Sequence, residues 1–131
     1  MKNLFTGSDP VAAGASLEGE QNEFPIPNNA PDKTSSYIKG GYIYLEVAQA
    51  TLTFKIQARF YNGIAWMKYH DLEDDDLTSV FDPTAAAVKC EFNLENQDFW
   101  KKPIRGIQVK YVRVTGSASA AISNDILEVH R

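Results

Sequence analysis

The stretch TLTFKIQARF, residues 51–60, decides the fold of this chain. Apolar residues occupy every second position (Leu52, Phe54, Ile56, Ala58 and Phe60), and polar or charged residues fill the positions between them. A period of two places alternate side chains on opposite faces of a β-strand. The stretch therefore predicts a strand with one face in a hydrophobic core and the other in water.

Similar alternation recurs in YIYLEV (42–47), VKCEFNLE (88–95) and IQVKYVRV (107–114), and DILEVHR closes the chain as a last strand. In IQVKYVRV the phase of the apolar residues slips near Tyr111, which predicts a β-bulge there. No sustained helical period is present in the sequence. The pattern predicts an all-β fold, an antiparallel β-sandwich or jelly roll of about six to eight strands.

Turn signals separate these segments. Asn62-Gly63 is the strongest short hairpin signal in the chain,. The small-residue stretch GSASAAISN, residues 116–124, predicts a loop between the last two strands. Trp66 follows the Asn-Gly turn in a strand-like run and is predicted to lie in the core.

The first 36 residues differ from the remainder because they hold four of the six prolines. Proline fixes φ and removes a backbone donor, so this stretch cannot form a helix or a central strand. We predict an extended, proline-rich N-terminal arm over residues 1–36 and a sandwich domain over residues 37–131. Phe24 and Ile26 are the predicted anchors of the arm, and a partly disordered tail is the alternative.

Composition limits the function classes. The 131 residues suit one domain with an ordinary core,. Net charge is -4, and a phosphate-tracking surface needs a basic excess, so direct nucleic-acid binding is not expected,. No apolar run approaches the length of a membrane helix, and the start of the chain lacks the apolar region of a secretory signal,. We therefore expect no membrane partner and no export by the secretory route.

The acidic run DLEDDD, residues 71–76, holds five carboxylates in six positions. Carboxylates are ligands for calcium or magnesium, but the glycine and glutamate of an EF-hand loop are not at the required positions. The run is predicted to be a solvated connector. A loosely held cation is the alternative, with Asp71, Asp74 and Asp76 as candidate ligands, and no cofactor is predicted.

The residue types that carry catalysis are few and scattered. His70 and His130 are the only histidines, and neither lies in a metal-pair spacing,. Both are predicted at the surface. Cys90 shares an alternating face with Val88 and Phe92, which predicts a small core residue. Because no nucleophile–base pair is recognisable, we predict that the protein is not an enzyme.

The stretch NQDFWKKPIRG, residues 96–106, combines aromatic and cationic side chains in a loop. Such loops supply anchors of protein interfaces or platforms that stack on sugar rings. The predicted interface residues here are Phe99, Trp100, Lys101, Lys102 and Arg105. The alternative is that Trp100 only covers the open end of the sandwich.

Taken together, LTFKIQARF, the Asn-Gly turn, IAWMKY and VKYVRVTGSASAAISNDILEV resemble β-sandwich domains of tailed-bacteriophage virion proteins. Those domains carry a strand of the type F-x-I/V-Q, a turn, a tryptophan, and a late Y-V-R-V-x-V/T-G segment, which is matched here by residues 111–116. The resemblance covers roughly residues 40–131 and does not include the acidic run or the leader. Similar sandwiches occur in carbohydrate-binding modules and discoidin-like domains.

The resemblance implies a non-enzymatic structural component of a virion, either a capsid-decorating or auxiliary protein or a head or tail accessory protein. It implies assembly in the host cytoplasm, with other virion proteins such as a capsid shell protein as partners, and homo-oligomer formation. The alternative function is a carbohydrate-binding module that stacks Phe99, Trp100 and Trp66 on sugar rings, with calcium held by the acidic run.

Overall fold

The computed structural model describes residues 4–5, 11–12, 16–24, 38–100 and 104–130. In these residues the fold is all-β, with a single 3-10 turn at Leu94–Asn96 and no α-helix. The strands are β1 (Val11–Ala12), β2 (Ser16–Glu18), β3 (Asn22–Glu23), β4 (Gly40–Val47), β5 (Leu52–Tyr61), β6 (His70–Asp71), β7 (Val88–Asn93), β8 (Gly106–Gly116) and β9 (Ala120–His130).

The strands form two antiparallel sheets. The first sheet has the order β1-β9-β4-β7, and the second has the order β2-β8-β5-β6, with β3 also pairing with β8. Every strand pair in the described residues is antiparallel. The predicted antiparallel β-sandwich is therefore confirmed.

The core lies between the two sheets and is filled from alternate positions of the strands. β5 buries all five apolar residues that the sequence pattern assigned to its inner face. The ring of Phe54 stacks on Phe81 with centroids 5.5 Å apart and on Tyr111 with centroids 5.3 Å apart. Cys90 is fully buried among these side chains, which confirms its prediction as a core residue.

The bulge predicted near Tyr111 lies further along β8. Thr53 pairs with Thr115, whereas Phe54 pairs with Arg113, so Val114 is the extra residue. The in-phase run from Ile107 to Tyr111 stays buried, while Val114 is 46% exposed. The phase slip in the sequence was real, but Tyr111 belongs to the row before the slip because its ring packs against Phe54 in the core.

A second bulge, in β9, has no clear signal in the sequence. Tyr44 pairs with Ile126 and Glu46 pairs with Ser123, so two residues of β9 oppose one residue of β4. Asn124 adopts the left-handed conformation with φ 52°, which asparagine tolerates better than most residues,. The bulge turns the carboxylate of Asp125 toward the interior.

The hairpin predicted at Asn62-Gly63 is present with a longer loop. Tyr61 pairs with Trp66, so residues 62–65 form the turn. The side-chain carbonyl of Asn62 accepts hydrogen bonds from two main-chain N–H groups within the turn, at 2.8 and 2.9 Å. Gly63 has φ +95°, a conformation that glycine adopts without strain,.

The loop predicted over residues 116–124 is shorter than expected. β8 extends to Gly116 and β9 begins at Ala120, so residues 117–119 make the connection. Ala120 and Ile122 are buried at 2% and 1% exposure. Ala120 and Ile122 therefore belong to the inner face of β9. A composition rich in alanine and serine does not distinguish such a strand from a loop.

The described residues of the predicted arm include three short strands, which pair in both sheets of the sandwich. β1 pairs with β9, and β2 and β3 pair with β8. Leu4 and Phe5 are buried in the core, each 1% exposed. These residues therefore pair with, and pack against, strands of the predicted sandwich domain over residues 37–131. Residues 25–37, which include Ile26, lie outside the described residues.

Candidate functional site

The N-terminal residues are held in place by a buried carboxylate from the other end of the chain. One carboxylate oxygen of Asp125 accepts hydrogen bonds from the main-chain N–H groups of Leu4 at 2.8 Å and Phe5 at 2.9 Å. Charge-assisted bonds of this kind are the strong ones in proteins. The bulge in β9 thus creates an attachment point for the leader.

The next part of the leader is attached through side-chain and main-chain bonds to β8. Gly19 donates to the carbonyl of Val109 at 2.8 Å, and Glu20 donates to the carbonyl of Leu4 at 2.9 Å. The buried side chain of Gln108 donates to the carbonyl of Gly19 at 2.9 Å. The leader is therefore added to the edge of the second sheet mainly through main-chain groups.

The aromatic residues predicted as interface anchors pack on their own domain. Phe99 stacks on Phe60 with centroids 5.5 Å apart, and Trp100 meets the same ring edge-on at 5.3 Å. Both are half-buried against the core, as is Phe24. These contacts place Trp100 beside the end of the core, as the covering alternative expected, while leaving part of each ring at the surface.

Arg105 and its neighbours complete this end of the sandwich. The main-chain N–H of Arg105 donates to Tyr61 at 2.7 Å, and its carbonyl accepts from Phe24 at 2.6 Å. The structure thereby brings Phe24 and Arg105, which are far apart in sequence, next to each other. Lys101 and Lys102 lie outside the described residues.

A cavity of about 760 Å³ opens beside Phe99. It is lined by Phe60, Asn62, Met67, Lys68, His70, Asp71, Glu73, Gln97, Asp98 and Phe99. The ring of His70 stacks on Phe99 with centroids 4.5 Å apart and an angle of 11° between the planes. His70 is half-buried in this stack, where it lines the cavity, and His130 is exposed beside Glu128.

Gln97 fixes the floor of the cavity. Its side chain accepts from the N–H of Glu73 at 2.9 Å and donates to the carbonyl of Glu73 at 2.8 Å. It also donates to the carbonyl of Asn93 at 3.0 Å. These bonds tie the segment at Glu73 to the turn that carries Gln97, and both residues line the cavity.

The acidic run follows the cavity as an exposed connector. Leu72 is fully buried and Phe81 is 6% exposed, so both ends of the connector are anchored in the core. Asp74 caps the turn between them, because its carboxylate accepts from the N–H groups of Asp76 at 3.0 Å and Thr78 at 2.8 Å. Asp75 and Asp76 are exposed, as the predicted solvated connector requires, whereas Asp71 lies in β6 and Asp74 is half-buried.

The candidate cation ligands Asp71, Asp74 and Asp76 take different positions along this connector. Asp71 accepts hydrogen bonds from Gln57 at 2.8 Å and lies 3.2 Å from the ammonium group of Lys55. Burial raises the pKa of Asp71, but the bonds from Gln57 and Lys55 outweigh it, so the pKa lies below its usual value. Among the described residues, no three His, Cys, Asp or Glu side chains converge into a group able to hold a metal ion.

Sequence reasoning missed a row of aromatic and cationic side chains on the outer face of the second sheet. The guanidinium of Arg59 lies 5.2 Å from the ring centroid of Trp66 and 4.9 Å from that of Tyr69. The ammonium of Lys110 lies 5.1 Å from the Tyr69 ring. The prediction that Trp66 lies in the core is therefore wrong. Arg59 already belonged to the outward row of TLTFKIQARF, and that position was the available signal.

The comparisons with known proteins add no family to this description. No protein-family model matches the chain, and no curated protein matches it. No helix within the described residues is long and apolar enough to span a membrane. The class defined by the coordinates is an antiparallel β-sandwich whose leader adds strands to the edges of both sheets.

Proposed function

We propose that this chain is a non-enzymatic structural component of a phage virion, either a capsid-decorating or auxiliary protein or a head or tail accessory protein. The observation that carries the proposal is the addition of three short leader strands, β1, β2 and β3, to the edges of the two sheets. Strand addition through main-chain bonds is a general way for an extended segment to join a neighbouring protein. The resemblance to phage virion sandwiches supports the assignment to a particle.

The length of the segment between the leader strands and β4 sets the distance over which the leader could be exchanged. The thirteen residues 25–37, which include Pro25, Pro27 and Pro31, connect the leader strands to β4. A chain of this length spans at most roughly 43–47 Å, at about 3.3–3.6 Å per residue. Exchange of an identical element between subunits is a low-cost route to an oligomer, because every contact already exists within one chain. The proposed partners are other copies of this chain and the capsid shell protein.

The chemistry of the most reactive side chain agrees with a role without catalysis. Burial, together with the negative charge of Asp74, raises the pKa of the Cys90 thiol to about 12. The thiolate is the nucleophilic form of cysteine, so Cys90 stays unreactive in the folded protein near neutral pH. The proposal therefore places function in surfaces and edges.

The carbohydrate-binding alternative needs an aromatic ring face that is open to a sugar. Phe99 already stacks on both Phe60 and His70, and Trp100 directs its contact at Phe60. These contacts occupy the Phe99 ring, and the edge-on contact leaves Trp100 as the loop aromatic residue that the alternative would use. A glycan array probed with the intact protein tests the alternative, which predicts retention that is lost in Trp100→Ala.

The assignment to a particle is tested on purified virions from a culture that produces this protein. Mass spectrometry of gradient-purified particles is expected to recover its peptides in a fixed ratio to the shell protein. Gold-labelled antibody against the chain is expected to mark intact particles at regular positions. Recovery only in the soluble fraction of the lysate, with unlabelled particles, would overturn the assignment.

Exchange of the leader is tested with a reversible lock. Ser16 and Val112 are paired across β2 and β8, so the variant Ser16→Cys/Val112→Cys can close a disulfide within one chain,. The reduced variant is expected to form the same oligomer as the unmodified protein, and oxidation of that oligomer is expected to link the leader of one chain to β8 of its neighbour. Light scattering after size exclusion in denaturant measures the covalent mass, and Ser16→Cys alone is the control. An oxidised variant with the mass of a single chain in denaturant would exclude leader exchange.

A further inference from the structure

We infer that the cavity beside Phe99 binds an organic cation with an apolar stem, such as an alkyl guanidinium or alkyl ammonium group. The inference goes beyond the proposed function and does not depend on whether the chain belongs to a virion. It follows from three features of the cavity: its size, its apolar wall and the charge of its rim.

The size and the wall suit a small ligand or a single long side chain. The cavity has a volume of about 760 Å³, within the range of roughly 300–1,000 Å³ that is typical of ligand sites. Phe60, Met67 and Phe99 supply an apolar surface, and the stacked ring of His70 extends it. A hydrocarbon stem placed against this wall loses contact with water, which favours binding.

The rim supplies the opposite charge to a cationic head group. Asp71, Glu73 and Asp98 line the cavity, and Lys68 is the one lysine or arginine among the described lining residues. Asp71 already pairs with Lys55, whereas Glu73 and Asp98 make no ion pair within the described residues. Two carboxylates are therefore available to a ligand, and the remaining charges of the acidic run strengthen the attraction of a cation.

The same features exclude other ligand classes. A metal ion needs several oxygen or nitrogen ligands converging on one point, and no group of three such side chains is present in the described residues. An anion would meet the net negative rim, and a hydrated inorganic ion would gain nothing from the aromatic wall. An organic cation is the class that uses both the wall and the rim.

The test measures binding of n-butylguanidinium and n-butylammonium to the intact protein by nuclear magnetic resonance titration. Saturable shifts are expected at the main-chain amides of residues 68–73 and 97–99, with a dissociation constant on the order of millimolar for so small a probe. Butanol and butyrate carry the same stem without the positive charge, and each is expected to bind at least about tenfold more weakly. Equal binding of butanol, or no saturable shift with either cation, would overturn the inference.

Variants locate the charge that matters. Asp98→Asn and Glu73→Gln remove one carboxylate each from exposed rim positions, and each is expected to weaken binding of n-butylguanidinium at least about fivefold. Asp76→Asn is the matched control, because it removes the same charge from an exposed residue outside the lining. The control is expected to change the affinity less than about twofold. An equal loss of affinity in all three variants would show that the cation responds to the general negative charge of this surface, and it would contradict a specific site in the cavity.

A second titration distinguishes an arginine side chain of a partner protein from a free small molecule as the source of the cation. N-acetyl-arginine N-methylamide presents the side chain as a protein would present it. Binding of this probe at the same amides identifies an arginine of a partner protein as a ligand that the cavity accepts. Binding of the free alkyl cations alone identifies a small-molecule site, and binding of none of the probes rejects the inference.

Discussion

The leader strands and the long strands of the sandwich are built in different ways. β4, β5, β8 and β9 have eight to eleven residues each, and burial alternates along β4 and β5. β1, β2 and β3 have two or three residues each. The long strands are specified by the pattern of apolar residues in their own sequence. The leader strands instead depend on pairing with β8 and β9.

The forces that hold the two regions differ accordingly. The long strands contribute rows of apolar side chains to one core, and burial of apolar area is the dominant favourable term in folding. The leader is attached by Leu4 and Phe5 in the core, by the short main-chain pairings of β1, β2 and β3, and by hydrogen bonds with the side chains of Asp125 and Gln108. A region held by short pairings and a few hydrogen bonds can open while the long strands stay folded. That difference is what an exchangeable leader requires.

The largest expected effect is on the long strands. Phe54→Ala leaves a cavity between Phe81 and Tyr111, and we expect it to lower the free energy of unfolding by about 3–5 kcal/mol,. Urea denaturation followed by fluorescence measures the change. Thr53→Ala, on the outward row of the same strand, is the control and is expected to cost less than about 1 kcal/mol. A cost of less than about 1 kcal/mol for Phe54→Ala would contradict the described core.

The next effect is on the attachment of the leader. Asp125→Ala leaves the N–H groups of Leu4 and Phe5 without their acceptor in a buried position, and we expect the leader to lose about 2–3 kcal/mol of local stability,. Hydrogen exchange at the amides of Gly19 and Glu20 measures it. Glu128→Ala, which removes an exposed carboxylate from the same strand, is expected to leave those amides unchanged. Equal acceleration of exchange in β4 and β5 would show that the two regions do not open separately.

A smaller effect is expected where the leader crosses β8. A Cβ at position 19 would meet the carbonyl oxygen of Leu4 and lie 2.9 Å from that of Val109, and both are backbone atoms. Gly19→Ala is therefore expected to cost about 1–2 kcal/mol in the same exchange measurement. Gln21→Ala, at an exposed leader position, is the control. A neutral result at Gly19 would mean that the leader does not follow the described path.

The smallest expected effect concerns Cys90, which lies in β7 and reports on the core. Its folded pKa of about 12 lies above its ordinary value of 9.0, chiefly because the thiol is buried. This group therefore stabilises the folded state fully below about pH 9, and the contribution is lost as the pH rises toward 12. The slope of unfolding free energy between pH 9 and 11 is expected to be shallower in Cys90→Ala than in the unmodified protein, as measured by urea denaturation at each pH.

The rate at which Cys90 is alkylated tests whether the leader and the core open separately. Alkylation of Cys90 by iodoacetamide at pH 8.5 requires opening of the core. We expect Phe54→Ala to accelerate it at least about a hundredfold, and Asp125→Ala and Gly19→Ala to change it less than about threefold. Fast labelling of Cys90 in the leader variants would show that the leader and the core open together as one cooperative unit.

Much of the sandwich was predictable because its long strands carry a local signal. All five apolar residues of TLTFKIQARF are buried as the alternation requires, and Cys90 lies in the core with them. The acidic run is exposed because adjacent carboxylates remain in water. Sequence-based prediction failed where two interacting residues are distant in sequence. The hydrogen bonds between Asp125 and the leader join residues that are 121 and 120 positions apart. No local pattern contains such a pairing.

Trp66 shows a second kind of failure. The apolar character of Trp66 suggested that its side chain lies in the core. The four-residue turn at 62–65 sets the register of the segment that follows it, and in that register the Trp66 ring lies on the outer face against Arg59. A shift of one residue in register exchanges the two faces of a strand. The composition of a short segment cannot distinguish the two outcomes.

The sequence alone therefore determined the β class, the inner face of β5, the buried thiol and the exposed connector, because each depends on neighbours within a few positions. Only the tertiary structure decided that the leader completes both sheets, that Gln97 and Asp125 work from buried positions, and that His70 and Phe99 form one wall of a cavity. The physical reason is that buried polar groups and ring stacks need partners from remote segments, and those partners meet only once the sheets have formed.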